Sequence, residues 1–262
     1  MSDPFLKLTE IYRKHADIEV VSGLNSYHFQ NWRDAPFTHY FKENIWQTGH
    51  LGISIWELML FEKISTIYKP SRIYIVGNGL GWSTLGLALL NPAARVVAID
   101  PDQGIELVNR IAAAEGLNCI VRAGFSPDDN SKVIMEEFDA PPDLFLIDGM
   151  HTNDHVAKDW ASLYNLGGAE ALYMFHDVIN FNLLQAMRDI RHQGSAADMT
   201  FVNLLASPSG MAALVPTGQT ELINFLKIFS PSAGALNHLI QRANALGSTP
   251  RQMFHVAAPP KV

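Results

Sequence analysis

Between residues 72 and 175 the chain alternates short apolar, β-branched runs with segments of helical periodicity. The apolar runs are 72–76, 95–99, 119–122, 144–147 and 171–175, and the helical segments are 83–90, 104–115, 127–137 and 153–164. Strands this apolar, separated by helices, are typical of a parallel sheet that is buried on both faces. We therefore predict an α/β, doubly wound (Rossmann-like) fold.

The segment after this region changes the expected topology of the sheet. A helix is predicted over 180–193, and two strand candidates, 200–205 and 211–215, are joined by the turn-forming sequence Ala-Ser-Pro-Ser-Gly. This pattern indicates a hairpin, so we predict a mostly parallel seven-stranded sheet that ends in an antiparallel C-terminal hairpin. We divide the chain into an N-terminal cap or lid (1–47), a core (48–217) and a C-terminal helical extension (218–262).

Composition and charge narrow the classes of function. Of 262 residues 48% are hydrophobic and 17% are charged, and globular proteins carry about 25% charged residues, so the bulk of the chain is expected to fold. The net charge of −7 argues against nucleic-acid binding. Cys119 is the single cysteine, which excludes a disulfide and a thiolate zinc site. No leader or membrane span is recognisable, and we expect a cytoplasmic protein that binds small molecules.

The first 47 residues are unusually aromatic. They contain Phe5, Tyr12, Tyr27, Phe29, Trp32, Phe37, Tyr40, Phe41 and Trp46. One interpretation is a helical cap packed on the core, and a second is an aromatic lid over a pocket; the two are compatible. The surplus of apolar residues also suits a contact between copies of the chain, so a homo-oligomer is a further expectation.

A glycine-rich loop follows the first strand of the core. Gly77, Gly79 and Gly81 alternate with other residues and lead directly into the helix that begins near residue 83. Such a loop lets a ligand approach the backbone and directs helix N–H groups at an anion. The spacing is not the dinucleotide pattern, because Trp82 stands where that pattern has glycine, and its bulk would crowd a pyrophosphate.

Two polar residues refine the expected ligand. Asp100 ends the next strand, 19 residues after Gly81, where a carboxylate can accept hydrogen bonds from both hydroxyls of a ribose. Ser83 offers a hydroxyl in the first turn of the following helix. We therefore predict a nucleoside with a short tail that carries a carboxylate.

Five motifs at the ends of successive strands then suggest a family. They are IYIVGNGLGWS from Ile73 to Ser83, VAID ending at Asp100, AGFS ending at Ser126, FLIDGMH ending at His151, and FHDV ending at Val178. Over about residues 50–215 the chain resembles the class I S-adenosylmethionine-dependent methyltransferases. Its motifs look most like those of the small bacterial O-methyltransferases related to the catechol and caffeoyl-CoA enzymes.

The resemblance implies a set of residues that bind S-adenosylmethionine. They are Gly77, Asn78, Gly79, Gly81 and Ser83 around the methionine part, Asp100 at the ribose, Phe125 and Ser126 at the adenine, and Asp148. One position departs from the family, which usually carries an acidic residue two before the first glycine; here it is Ile75. The contact to the methionine amino group would have to come from elsewhere.

Four ionisable residues follow two neighbouring strands, where such folds hold ligands: Asp148, His151, His176 and Asp177. Methyl transfer to a hydroxyl requires its deprotonation, by a general base such as histidine or by a divalent cation. The resemblance places His151 at the position of the catalytic lysine, and Asp148, His176 and Asp177 at those of three magnesium ligands. Imidazole suits manganese, iron, nickel or zinc better than magnesium. The alternative keeps His151 and His176 as metal-free acid/base residues, with Asp177 orienting one of them.

Simpler interpretations of these residues remain open. Asp148 would merely cap a helix, and His176 with Asp177 would form a buried polar pair. We expect His155 to be a surface residue paired with Asp159. The histidines at positions 28, 39 and 50 are within reach of the site only if the cap folds over it.

The expected function is O-methyl transfer from S-adenosylmethionine to a small hydroxylated metabolite, with catalytic roles for His151, Asp148 and His176. A non-methylating enzyme (lyase or cyclase) and a nucleoside-binding module on the same fold are the alternatives.

Overall fold

A computed structural model describes residues 3–25, 34–47, 49, 51–102, 104–232, 234, 235, 238 and 241. Residues Met1–Ser230 form one compact unit, and Pro231–Val262 form a second. Within the described ranges, no helix is both long enough and apolar enough to cross a membrane.

Helices and strands alternate through most of the first unit. The α-helices are α1 (Pro4–Ala16), α2 (Ile55–Tyr68), α3 (Trp82–Leu90), α4 (Ile105–Glu115), α5 (Asn130–Glu137), α6 (Asn153–Gly167), α7 (Leu184–Ala196) and α8 (Thr220–Leu226). The strands are β1 (Glu19–Val21), β2 (His39–Lys42), β3 (Ile45–Trp46), β4 (Arg72–Val76), β5 (Arg95–Asp100), β6 (Cys119–Ala123), β7 (Leu144–Ile147), β8 (Leu172–Phe175), β9 (Met199–Leu204) and β10 (Met211–Pro216). Short 3-10 helices cover Gly168–Glu170 and Lys227–Phe229.

The main sheet has seven strands in the order β6-β5-β4-β7-β8-β10-β9. Strands β4 to β8 pair in parallel, whereas β10 is antiparallel to both β8 and β9. This confirms the predicted doubly wound fold with its antiparallel C-terminal hairpin. The chain order reverses between β4 and β7, and the crevice at such a switch point is where open α/β sheets bind ligands.

Both faces of the sheet are covered. Successive residues of β4 point to opposite faces, so Ile73 and Ile75 pack with α1–α4 and α8, while Tyr74 and Val76 pack with α5–α7. All four side chains are buried. Cys119 is buried as expected, and burial raises the pKa of its thiol to about 12, so it is inert as a nucleophile.

The N-terminal segment is a helix followed by a small sheet, so the expectation of a purely helical cap was incomplete. After α1, strands β1, β2 and β3 form an antiparallel three-stranded sheet. Helix α1 packs on α3, where the ring of Tyr12 lies 6.0 Å from that of Trp82. Trp82 is therefore buried beneath the cap, and it also lines the main cavity, so the expectation that its bulk would crowd a pyrophosphate stays a prediction.

Two helix starts also differ from prediction. Helix α5 begins at Asn130 rather than at Pro127, because the hydroxyl of Ser126 donates to Asp159 and does not cap the helix. Helix α7 begins at Leu184, four residues later than predicted, after turns at 178–183. The predicted C-terminal helix begins close to the expected position as α8, and most of the residues beyond 232 lie outside the described ranges.

Candidate functional site

The glycine loop lies at the switch point of the sheet. Gly77 has a φ of +91°, and a Cβ there would lie 2.1 Å from the carbonyl oxygen of Asp148. Gly81 has a φ of +89°, and a Cβ there would lie 2.2 Å from Val108. Both positions therefore require glycine, and the loop passes close to the end of β7 and to α4.

The carboxylate of Asp100 holds this loop. Its Oδ2 accepts the backbone N–H groups of Asn78 at 2.8 Å and Gly79 at 3.2 Å, and its Oδ1 accepts that of Asp102 at 3.1 Å. Asn78 in turn accepts the hydroxyl of Thr84 at 2.9 Å. Asp100 thus shapes the loop as well as facing the cavity, a role that strand position alone did not indicate.

A third side of the cavity comes from the segment after β6. Phe125 is exposed, and Ser126 donates its hydroxyl to Oδ1 of the buried Asp159 at 2.6 Å. His155 is half-buried, lies 3.0 Å from the carbonyl oxygen of Ser126 and lines the cavity. Burial raises the pKa of Asp159 and the charge of His155 partly offsets that rise, so the expected pairing is electrostatic and the expected surface position is only partly right. Asp159 itself lies on the buried face of α6.

The four ionisable residues of the rim meet in one cluster. Asp148, His151, His176 and Asp177 each place a ligand atom within 4.8 Å of the others. Nδ1 of His176 lies 2.8 Å from Oδ1 of Asp148 and 3.7 Å from Oδ2 of Asp177. Nε2 of His151 lies 3.3 Å from Oδ1 of Asp148 and 3.4 Å from Oδ2 of Asp177. The sheet therefore brings together all four predicted residues.

The charged groups of the cluster shift one another's pKa values. Burial opposes ionisation of Asp148, but His176 and His151 outweigh it and hold the pKa of this carboxyl below its usual value. Burial also disfavours the charged form of His176, but Asp148, Glu57 and Asp177 outweigh it and raise the pKa of the imidazole well above its usual value. The carboxylates around His176 therefore favour its protonated form.

Glu57 is a functional candidate that sequence reasoning missed. It lies in the first turn of α2, is fully buried, and its Oε2 is 3.1 Å from Nε2 of His176. Burial opposes its ionisation, yet His176 and Ser209 outweigh that effect and lower the pKa of this carboxyl. The capping sequence that begins at Ser54 was recognisable, but the partners of Glu57 lie 119 and 152 residues away.

Aromatic side chains enclose the cluster. The ring of Phe181 stacks on His151 with centroids 4.5 Å apart, and the ring of Phe37 lies 5.9 Å from that of His176. Phe37 and Trp46 both line the cavity, so the N-terminal segment reaches the site as the lid hypothesis requires. His39 is buried against the carbonyl oxygen of Asp34, outside the cluster. The histidines at positions 28 and 50, which were also considered as residues that reach the site, lie outside the described residues.

One cavity of about 640 Å³ joins these parts. Its wall includes the glycine loop, Asp100, Phe125, Ser126 and the ionisable cluster. Ile75 lies in the core and is fully buried, so it offers no contact to a ligand. The cavity has the size of a small-molecule site, with the glycine loop and Asp100 in one part of its wall and the ionisable cluster in another.

Comparison with known proteins agrees with this geometry. Residues 76–178 match a family model described as a methyltransferase domain, a range that contains the glycine loop, Asp100 and the whole ionisable cluster, whereas Glu57 precedes it. Among proteins of curated function, none matches the sequence.

Solved structures share the fold at low sequence identity. An O-methyltransferase from Bacillus cereus in complex with S-adenosylhomocysteine (SAH) is 19% identical, with a TM-score of 0.51 over 62% of this chain and 82% of that one. The O-methyltransferase TomG from Streptomyces achromogenes, in complex with S-adenosylmethionine, is 16% identical, with a TM-score of 0.51 over 82% and 90%. A putative caffeoyl-CoA O-methyltransferase from Staphylococcus aureus is 14% identical, with a TM-score of 0.51 over 62% and 83%. Residues 76–178 are therefore similar to a methyltransferase domain, and the chain shares the fold of the class I S-adenosylmethionine-dependent methyltransferases.

Proposed function

We propose that this protein transfers a methyl group from S-adenosylmethionine to a hydroxyl group of a small, fairly apolar metabolite. The observation that carries the proposal is the joining, in one cavity, of a glycine loop braced by Asp100 and a cluster of carboxylates and imidazoles. The solved relatives bound to this donor or its product, SAH, support the choice of ligand. The apolar walls at Phe37, Trp46 and Phe181 favour an acceptor with a hydrophobic body.

The donor would lie along the predicted residues of the cavity. The glycine loop and Ser83 would hold its methionine part, Asp100 its ribose, and Phe125 with Ser126 its adenine. The transferred methyl group leaves a sulfonium sulfur, which keeps the bonding electron pair as the acceptor oxygen forms its new bond to carbon. Positioning of the two reactants then supplies much of the rate enhancement.

His151 is the proposed general base. Its Nε2 lies between Oδ1 of Asp148 and Oδ2 of Asp177, so both carboxylates would stabilise the imidazolium formed when His151 takes the hydroxyl proton. The ring of Phe181 stacks on the imidazole of His151. This contact would hold the plane of the imidazole and limit the access of water to it.

The cluster also fits a divalent cation. Nδ1 of His176 is buried and has no hydrogen-bond partner in the described part of the chain, although two carboxylates face it. Adjacent ligands of a first-row divalent ion lie about 3 Å apart, since each is about 2.1 Å from the ion, and the separations in the cluster are 2.8–3.7 Å. Asp148, Asp177 and His176 would hold the ion, whose contribution would be to lower the pKa of the acceptor hydroxyl.

Calorimetry and a methylation assay test the proposal together. We expect SAH to bind, Mn²⁺ to bind more tightly than Mg²⁺, and a hydroxylated acceptor from a substrate panel to gain a methyl group. Failure of SAH to bind would refute the function. Methylation that persists after treatment with a chelator would refute only the role of the metal.

Replacing Tyr12 by phenylalanine tests whether the N-terminal helix supports the donor site. The hydroxyl of Tyr12 donates to the carbonyl oxygen of Leu80, inside the glycine loop, at 2.8 Å. We expect Tyr12→Phe to lower the free energy of unfolding by about 1 kcal/mol. We also expect it to weaken SAH binding several-fold, because the glycine loop loses the hydrogen bond that holds its Leu80 carbonyl group.

Tyr173→Phe is the matched control. Tyr173 donates to the carbonyl oxygen of Gly168, also at 2.8 Å, and it does not line the cavity. It should cost similar stability, measured by chemical denaturation, and leave SAH affinity unchanged. Equal SAH affinity in the two variants would contradict the proposed role of the Tyr12 hydrogen bond.

A further inference from the structure

The buried carboxylate of Glu57 makes four hydrogen-bonding contacts next to the ionisable cluster. Its Oε2 accepts the backbone N–H of Ser54 at 3.0 Å and faces Nε2 of His176 at 3.1 Å. Its Oε1 accepts the backbone N–H of Ser209 at 2.9 Å and the hydroxyl of Ser209 at 2.5 Å. Each oxygen therefore has two partners, and the carboxylate is fully satisfied without solvent.

This arrangement determines which nitrogen of His176 carries a proton. A carboxylate that already accepts three hydrogen bonds from N–H and O–H groups can only accept a fourth, so Nε2 of His176 must donate. An imidazole that binds a metal has one N–H, so with Nε2 donating to Glu57 the nitrogen left to bind a cation is Nδ1. Nδ1 is the atom that faces Asp148 and Asp177.

We propose that Glu57 is a positioning residue that holds the Nε2–H of His176 and so leaves Nδ1, beside Asp148 and Asp177, as the ligand atom of this imidazole. The inference rests on the proposed function in one respect, namely that a divalent cation is the partner of that atom. Histidines that bind metals commonly donate their second N–H to a carboxylate, which orients the ring and raises its basicity. Glu57 lies on α2, outside the cluster. Among the contacts described above, its one contact with a cluster member is with His176.

A purely structural role for Glu57 is the competing explanation, because its contacts also join α2 to the loop between β9 and β10. Ser209→Ala is the matched control for that explanation. It removes the hydroxyl bonded to Oε1, while the contact between Oε2 and His176 stays in place.

The first measurement is Mn²⁺ affinity by calorimetry on the full chain. We expect Glu57→Gln to weaken Mn²⁺ binding by about 10- to 100-fold. Ser209→Ala should bind Mn²⁺ within about 3-fold of the wild type, even though both variants lose thermal stability. Equal Mn²⁺ affinity in the wild type and Glu57→Gln, or equal losses in Glu57→Gln and Ser209→Ala, would overturn the proposal.

The second measurement needs no variant at position 57 and survives if Glu57→Gln fails to fold. Long-range ¹H–¹⁵N NMR of the wild type, with His176→Gln to assign the signals, reports the protonation of each ring nitrogen. We expect Nε2 of His176 to carry a proton both without metal and with Zn²⁺, and Nδ1 to shift when Zn²⁺ is added. An unprotonated Nε2 would overturn the role of Glu57. A protonated Nε2 with no binding of Mn²⁺ or Zn²⁺ would uphold the hydrogen bond to Glu57, overturn Nδ1 as a ligand atom and refute the metal in the proposed function.

Discussion

Replacing Gly77 by alanine is expected to weaken SAH binding strongly and to destabilise the protein by about 3 kcal/mol. The positive φ costs a non-glycine residue about 1–2 kcal/mol. The added Cβ would also lie 2.1 Å from the carbonyl oxygen of Asp148, and overpacking of this kind costs about 1–3 kcal/mol. Its two nearest neighbours are backbone atoms of Asp148, so no change of rotamer relieves the clash.

The clash affects both the glycine loop and the end of β7 that carries Asp148. To accommodate the methyl group, the end of β7 must move away from the glycine loop, which displaces Asp148 together with the loop. We therefore expect SAH affinity, measured by calorimetry, to fall by more than about 100-fold, which corresponds to about 2.7 kcal/mol of binding free energy.

Gly116→Ala is the control for Gly77→Ala. Gly116 also has a positive φ, +65°, but a Cβ there would meet nothing within 4 Å, and the residue lies at the end of α4 away from the cavity. This variant should lose about 1 kcal/mol and keep its SAH affinity. Similar SAH affinities in the two variants would show that the loop does not hold the donor.

Replacing His151 by alanine is expected to lower kcat by about 10²- to 10⁴-fold, the usual contribution of a general base. SAH affinity should stay within a few-fold, because the imidazole lies at the acceptor end of the cavity between Asp148 and Asp177. His192→Ala, on the exposed surface of α7, is the control and should retain wild-type kcat.

The His151→Ala variant also distinguishes a role of His151 as the general base from a role as a metal ligand. If it acts as the base, Mn²⁺ affinity should change little when it is removed. A loss of Mn²⁺ affinity as large as that of Asp148→Asn would instead make His151 a fourth ligand. Activity of His151→Ala within about 10-fold of the wild type would contradict the proposed base.

Residues at strand ends were predictable because their positions follow from local sequence. Gly77, Asp100 and Asp148 directly follow or end apolar runs, and parallel strands bring their carboxyl ends to one edge of a sheet. The cluster of Asp148 with His176 could therefore be predicted without knowing any long-range contact.

Other features depend on contacts between distant segments. Ser126 has the sequence context of a helix cap, but its hydroxyl is taken by Asp159, 33 residues away, and the helix begins later. Trp82 follows the glycine loop and lines the cavity, yet the aromatic cap leaves its side chain almost completely buried. In both cases packing against another element overrides the local pattern.

The contacts of Glu57 also have a consequence for the order of folding. The carboxylate joins α2 to His176, 119 residues away, and to Ser209, 152 residues away, across the hairpin that closes the sheet. Contacts of such sequence separation form slowly, because a long loop must close before they contribute. During synthesis, the complete set of Glu57 contacts cannot form until the chain has emerged beyond Ser209. We therefore expect the donor crevice between β4 and β7 to assemble before the acid–base centre acquires its final geometry.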